Sequence, residues 1–159
     1  MAHVVADVDT KASPERVIGA LTDFSARRLE LWPNIDRSLF EVSSRGEQSA
    51  DVTEGSSAFG GIWERAHYDW SRPGEVRLDV QDSNTFQPGS FWSYQVTPGP
   101  DGGSHVHMEF DRRPRNLKGS FVGGLLSLFG NRIFSKSLRE TLNRIERSDA
   151  PPPTGQARA

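Results

Sequence analysis

The 159-residue sequence contains no cysteine. Disulfides, zinc–thiolate sites and thiol nucleophiles are thereby excluded, and the absence fits a cytoplasmic, reducing compartment. Charge of one sign is also missing, since 19 Lys and Arg against 21 Asp and Glu leave a formal net charge of −2. Such a balance gives no global pull toward nucleic acid or an anionic membrane. Long hydrophobic runs are absent too. The most apolar stretch, 121–129, is too short and too glycine-rich to form a transmembrane segment. The stretch Met1 to Thr10 has no basic region followed by a long apolar run, so no secretory signal is expected. Neither GxSxG, nor a phosphate-cradling glycine loop, nor GxGxxG is found. Gly60-Gly61 and Gly123-Gly124 lack the strand-to-helix context such loops require. No cofactor is implied.

What is present suits one domain, over 1–148, with hydrophobic residues at 35% and charged residues at 25%. The proline-rich tail, 149–159, has nothing to bury and is expected to be disordered. Val4, Ala6 and Val8 alternate with Asp7 and Asp9, as in an opening strand with one buried face. Ser13-Pro14-Glu15 combines an N-cap, a first-turn proline and an acidic residue, so a short helix runs to about Asp23. A second short helix over Ala26 to Leu31 is closed by Trp32-Pro33. From Leu39 onward, strands alternate with short Gly- or Pro-containing turns: Leu39 to Ser44, Gln48 to Glu54, Ile62 to Ser71, Glu75 to Gln81, Ser90 to Thr97 and His105 to Asp111. Lys118 to Arg147 is free of proline and reads as a helix. The order indicates an α+β domain with an antiparallel sheet.

That last helix carries the most information. Phe134, Leu138, Leu142 and Ile145 form one apolar stripe. Extended backward at about 100° per residue, the stripe meets Asn131, Gly130, Ser127, Gly124, Gly123 and Ser120, all small or polar. The bulky Phe121, Val122, Leu125, Leu126, Leu128 and Phe129 fall on the other side. A continuous helix would leave space over the sheet and an outer apolar face needing a cover: a partner chain such as a homodimer mate, a loop, or a membrane surface. A break near Gly130 would instead turn Phe121, Leu125 and Leu128 inward as walls. The cost of wetting them, about 25 cal/mol per Å², favours the break.

Period-two spacing points Ile62, Glu64, Ala66, Tyr68 and Trp70 to one side of their strand, and that side is the more apolar. Glu64 is then a carboxylate in an apolar setting, suited to acid/base work, or a partner for an arginine near the rim. Trp92, Tyr94 and Val96, with Val106, Met108 and Phe110, form an aromatic and thioether wall; core packing explains the same residues. Tyr68 and Tyr94 can each offer a hydroxyl to a ligand. His105 and His107 share a strand face, but that face continues through Glu109 and Asp111, so a wet surface and no metal site is expected. Arg112, Arg113, Arg115 and Lys118 read as a solvated turn, or as a site for an acidic group.

Ala12-Ser13-Pro14-Glu15-Arg16-Val17, Trp32-Pro33, Trp63-Glu64-Arg65 through Trp70-Ser71-Arg72-Pro73, Tyr94-Gln95-Val96-Thr97-Pro98 and the closing 138–146 helix together resemble the helix-grip (START, pollen-allergen, SRPBCC) superfamily. The resemblance covers about 3–147 and is greatest to the polyketide cyclase/dehydrase-like branch. It implies a curved seven-stranded antiparallel sheet around a long C-terminal helix, with two short helices after the first strand and an apolar pocket. It carries over no catalytic residue, because one fold serves many chemistries. The expected function is binding of a hydrophobic small molecule, a lipid or polyketide-type compound, as carrier or sensor. The ligand contacts expected are Glu64, Tyr68, Trp70, Trp92, Tyr94, Met108, Phe121, Gly124, Leu125 and Leu128. An enzyme of the cyclase/dehydrase type, using Glu64 with Tyr68 or Tyr94, is the second reading. An interaction module using the 121–129 face is the third.

Overall fold

A computed structural model describes residues 2–148; the tail at 149–159 lies outside the described residues. Strand β1 (Ala2–Thr10) leads into helices α1 (Pro14–Leu21) and α2 (Arg28–Leu31). Strands β2 (Glu41–Arg45), β3 (Ser49–Ser56), β4 (Ile62–Asp69), β5 (Glu75–Ser83), β6 (Phe91–Pro98) and β7 (Ser104–Arg112) follow, and helix α3 (Leu117–Arg147) closes the fold. All seven strands form one antiparallel sheet in the order β1-β7-β6-β5-β4-β3-β2. This is the helix-grip architecture that the family resemblance implied.

The local reasons are those of the sequence. Ser13 accepts a hydrogen bond from the Arg16 amide at the start of α1, with Pro14 in the first turn. Strands β1 and β7 alternate strictly, burying Val4, Ala6 and Val8 against Phe110, Met108 and Val106. Register shifts occur at Val42/Ser44 and at Arg65/Ala66. Such irregularities increase twist and help the sheet curve over the helix. Asn116 caps α3 by accepting from the Gly119 amide at 2.9 Å.

Helix α3 runs unbroken through Gly130, which corrects the expected break. Its inner face is formed by Gly119, Val122, Gly123, Gly130, Leu138, Thr141, Leu142 and Ile145. The reason it need not break is visible at Gly130. A Cβ there would lie 2.6 Å from Val4 Cγ2, so the missing side chain lets the helix backbone lie directly on β1. At Gly123 and Gly124 the opposite holds, since an added Cβ meets nothing within 4 Å. The consequence of continuity is an outer row of exposed apolar residues, with Phe121 at 64% and Leu128 at 75% exposure, beside Leu117 and Phe129. No described helix is long and apolar enough to cross a membrane.

Candidate ligand cavity and its buried ion pairs

Between the concave sheet and the 122–138 stretch of α3 lies a cavity of about 420 Å³. Trp92, Tyr94, Met108 and Phe110 wall it from β6 and β7, while Val122, Leu126, Phe134 and Leu138 close it from the helix. Aromatic edges hold the wall together: Phe134 meets Trp92 at 5.4 Å and Phe110 at 4.6 Å between ring centroids. Phe59 stands at the mouth, 57% exposed and in the left-handed region at φ 51°, ahead of Gly60 and Gly61 at φ 75° and 87°. A non-glycine residue seldom adopts that conformation.

Two ion pairs are set into this apolar lining. At one, Arg28 donates through Nε to Glu54, through Nη2 to the Tyr68 hydroxyl at 2.8 Å, and through Nη1 to the Leu21 carbonyl at 3.0 Å. Tyr68 in turn donates to Glu54 Oε2 at 2.6 Å. Burial pushes the Tyr68 phenol well up, opposed by the nearby Arg28 charge. Arg28 is also held above the ordinary guanidinium value: burial opposes its charge, but Glu54 and Tyr68 outweigh it. At the other, Arg112 Nη2 donates to Glu64 Oε1 at 3.0 Å, and Trp92 Nε1 donates to the same oxygen at 3.2 Å. Burial raises the Glu64 pKa, Arg112 opposes that shift, and Glu54 adds to it. Burial lowers the Arg112 pKa against the pull of Glu64. Its guanidinium also rests on the faces of Trp92 and Phe86, at 4.6 and 5.1 Å. Tyr94 is raised, mainly by burial, and feels both ion pairs.

Of the sequence-predicted contacts, the structure brings Glu64, Tyr68, Trp92, Tyr94 and Met108 together around this cavity. Trp70 is not part of the lining; it packs instead against Phe24 at 6.1 Å, beyond the end of β4. Phe121, Gly124, Leu125 and Leu128 do not line it either. The continuous helix turns inward a face that neither alternative supposed: Val122 and Leu126 line the cavity. Phe121 and Leu128, with the small positions Ser120, Gly124 and Ser127, are exposed, and Leu125 is half-buried. Trp63, which alternation aims outward, also borders the cavity.

Two site residues, Glu54 and Arg28, escape the sequence reading, which names Arg112 only within the basic cluster, and a periodic signal is present for all three. Arg112 continues the inward series Val106, Met108, Phe110, whereas Arg113 and Arg115 are exposed, so the basic cluster is not one solvated turn. Glu54 continues Ala50 and Val52 along β3. Arg28 follows Leu21 and Phe24 at near-helical spacing, and its side chain is 5% exposed. Apolar runs were read for apolar continuations, so charged members at their ends were assigned to the surface. His105 and His107 lie on the other side of the sheet, bonded to Asp9 and Asp7 at 2.8 Å each. No group of three or more metal-ligating side chains occurs among the described residues.

The comparisons with known proteins agree with this geometry. A START superfamily protein from Mycobacterium smegmatis superposes with a TM-score of 0.73 at 15% identity, covering 92% of this chain and 99% of that one. The Zhui aromatase/cyclase from a Streptomyces species gives 0.70 at 14% identity, covering 91% and 93%. Ginseng major latex-like protein 151 from Panax ginseng gives 0.62 at 13%, covering 90% and 96%. At such identities the likeness establishes the fold alone. No curated protein matches the sequence. A family profile, described as polyketide cyclase / dehydrase and lipid transport, matches residues 1–147. By that match over nearly its whole length, the chain belongs to the polyketide cyclase/dehydrase and lipid transport family.

Proposed function

We propose that the protein binds an apolar small molecule, lipid or polyketide-type, in the cavity between sheet and α3, and acts as a carrier or sensor. The observation that carries this reading is a cavity of about 420 Å³ with largely aromatic and aliphatic walls and a few fixed polar groups. Ligand sites of small molecules are built in this way, with apolar area for affinity and sparse polar atoms for orientation. A cavity of that size is costly to keep in a core that has no guest, since empty volume forfeits packing contacts. Native mass spectrometry after incubation with a lipid extract tests the proposal. A retained ligand mass, lost in Val122→Trp where the bulk enters the cavity, is the expected result. A protein that retains nothing under any loading condition sinks it.

A second reading is an enzyme of the cyclase/dehydrase type. What favours it is Glu64, whose proton affinity burial raises, sharing one cavity with the Tyr94 hydroxyl. Glu64 would move the proton and Tyr94 would hold the substrate oxygen. Turnover of a poly-β-keto substrate that survives Glu64→Gln with the fold intact counts against this assignment.

A further inference from the structure

Glu64 is engaged on one oxygen only. Both of its donors, Trp92 Nε1 and Arg112 Nη2, fall on Oε1. Among the described residues Oε2 accepts from nothing, yet it is not sealed. The sealed, unpartnered side-chain atoms are Trp32 Nε1, Asp111 Oδ1 and Arg112 Nη1, and Glu64 Oε2 is not one of them. Its side chain retains 16% exposure while lining the cavity, so the free oxygen faces that space. Glu54 is the contrast: Arg28 occupies Oε1 and Tyr68 occupies Oε2. Tyr94 also lines the cavity, and its hydroxyl makes no hydrogen bond to a described residue.

Charge narrows the choice of guest. The cavity wall holds two arginines, Arg28 and Arg112, against two carboxylates, Glu54 and Glu64. An anionic ligand head beside Glu64 Oε2 would set two carboxylates together and bury an unpaired charge, both strongly unfavourable. A hydroxyl meets no such penalty. It supplies the one thing a carboxylate oxygen lacks, a donor, and a charge-assisted bond of this kind is among the stronger ones.

Resting on the cavity reading above, we infer that the guest is an uncharged apolar molecule bearing a hydroxyl, which donates to Glu64 Oε2, with Tyr94 as the second polar contact. Fatty acids and other apolar carboxylates are then poor ligands.

Four probes of matched shape test this: 2-naphthol, 2-methoxynaphthalene, naphthalene and 2-naphthoate, each titrated against the full chain by tryptophan quenching. The expected order places 2-naphthol about tenfold tighter than 2-methoxynaphthalene or naphthalene, the effect of one hydrogen bond to a charged acceptor, and 2-naphthoate last. A spectroscopic readout separates contact from a merely structural role. On excitation, bound 2-naphthol transfers its hydroxyl proton to Glu64 Oε2, emits as naphtholate, and recovers the proton after decay. Glu64→Gln abolishes that emission and removes the preference for 2-naphthol. Should Glu64→Gln fail to fold, the order of the four probes on the unmodified protein decides alone. Equal binding of 2-naphthol and 2-methoxynaphthalene, or tightest binding of 2-naphthoate, overturns the hydroxyl assignment and leaves the cavity reading standing. Failure of all four to bind overturns both.

Discussion

Two of the buried glycines of α3, Gly123 and Gly130, make a prediction whose terms can be separated. Gly130 and Gly123 both lie on the inner face of the helix. Replacing either with alanine gives the same intrinsic gain, about 1 kcal/mol, because alanine loses less backbone freedom in a helix. The surroundings then diverge. At Gly123 the new methyl meets nothing within 4 Å, so the gain stands. At Gly130 it would lie 2.6 Å from Val4 Cγ2 and 3.6 Å from Cγ1. Carbon atoms pack best at about 3.5–4.0 Å, so something must move by roughly 1 Å. Val4 cannot turn aside easily: it is β-branched, 1% exposed, and paired with Phe110 in the sheet. Overpacking of this kind costs about 1–3 kcal/mol. Since the propensity gain cancels between the two variants, their difference reads the clash directly. Gly130→Ala should be about 1–3 kcal/mol less stable than Gly123→Ala in urea denaturation followed by circular dichroism. In melting temperature the gap is roughly 2–4 °C for each kcal/mol. Adding Val4→Ala should recover part of the loss in the Gly130→Ala background, as a double-mutant cycle between touching residues requires. If Gly130→Ala proves as stabilising as Gly123→Ala, the helix does not lie on β1 at this point, and the continuous-helix account of the cavity roof fails.

The remaining expectations concern the ion pairs, the outer helix face and the wet side of the sheet. Arg112→Met strands Glu64 in an apolar setting and should cost about 3–5 kcal/mol in chemical denaturation; adding Glu64→Leu should recover most of it. Tyr68→Phe removes a donor to Glu54 and an acceptor from Arg28, and should cost about 1–3 kcal/mol by the same assay. Phe121→Ser with Leu128→Ser touches exposed side chains only, so the melting temperature should change little, within about 0.5 kcal/mol; a large loss would mean that face is covered in the folded protein. His105 is raised above its ordinary value of 6.5, chiefly by its bond to Asp9. Its contribution is therefore fully present below pH 6.5 and lost as pH rises through the raised folded value. His105→Ala should flatten stability across that window, by a small amount because the imidazole is exposed.

Much of the fold was legible because its determinants are local. Alternation in Val4, Ala6 and Val8 and in Val106, Met108 and Phe110 marks two strands that do pair, and a capping serine with Pro14 marks the first helix. Turn residues placed the hairpins. Of the residues expected as ligand contacts, Glu64, Tyr68, Trp92, Tyr94 and Met108 line the candidate cavity, because period two tells which side of a strand a residue shares. The contacts expected from α3 were not, because their placement depended on a judgement about Gly130. Periodicity along one helix gives the phase of its faces but not what lies opposite each residue. Gly130 reads as a helix breaker in isolation and is in fact the point of closest approach to Val4.

The sequence by itself determined the element order, the inward sides of the strands and the presence of a carboxylate at Glu64 among apolar neighbours. Tertiary structure alone decided that Arg28 pairs with Glu54, that the arginine beside Glu64 is Arg112, that one oxygen of Glu64 stays free, and that Phe121 and Leu128 face outward. The physical reason is range. Propensity, capping and alternation act over a few residues, whereas an ion pair joining positions 28 and 54, or 64 and 112, exists only once the sheet has curved and brought them within 3 Å or so.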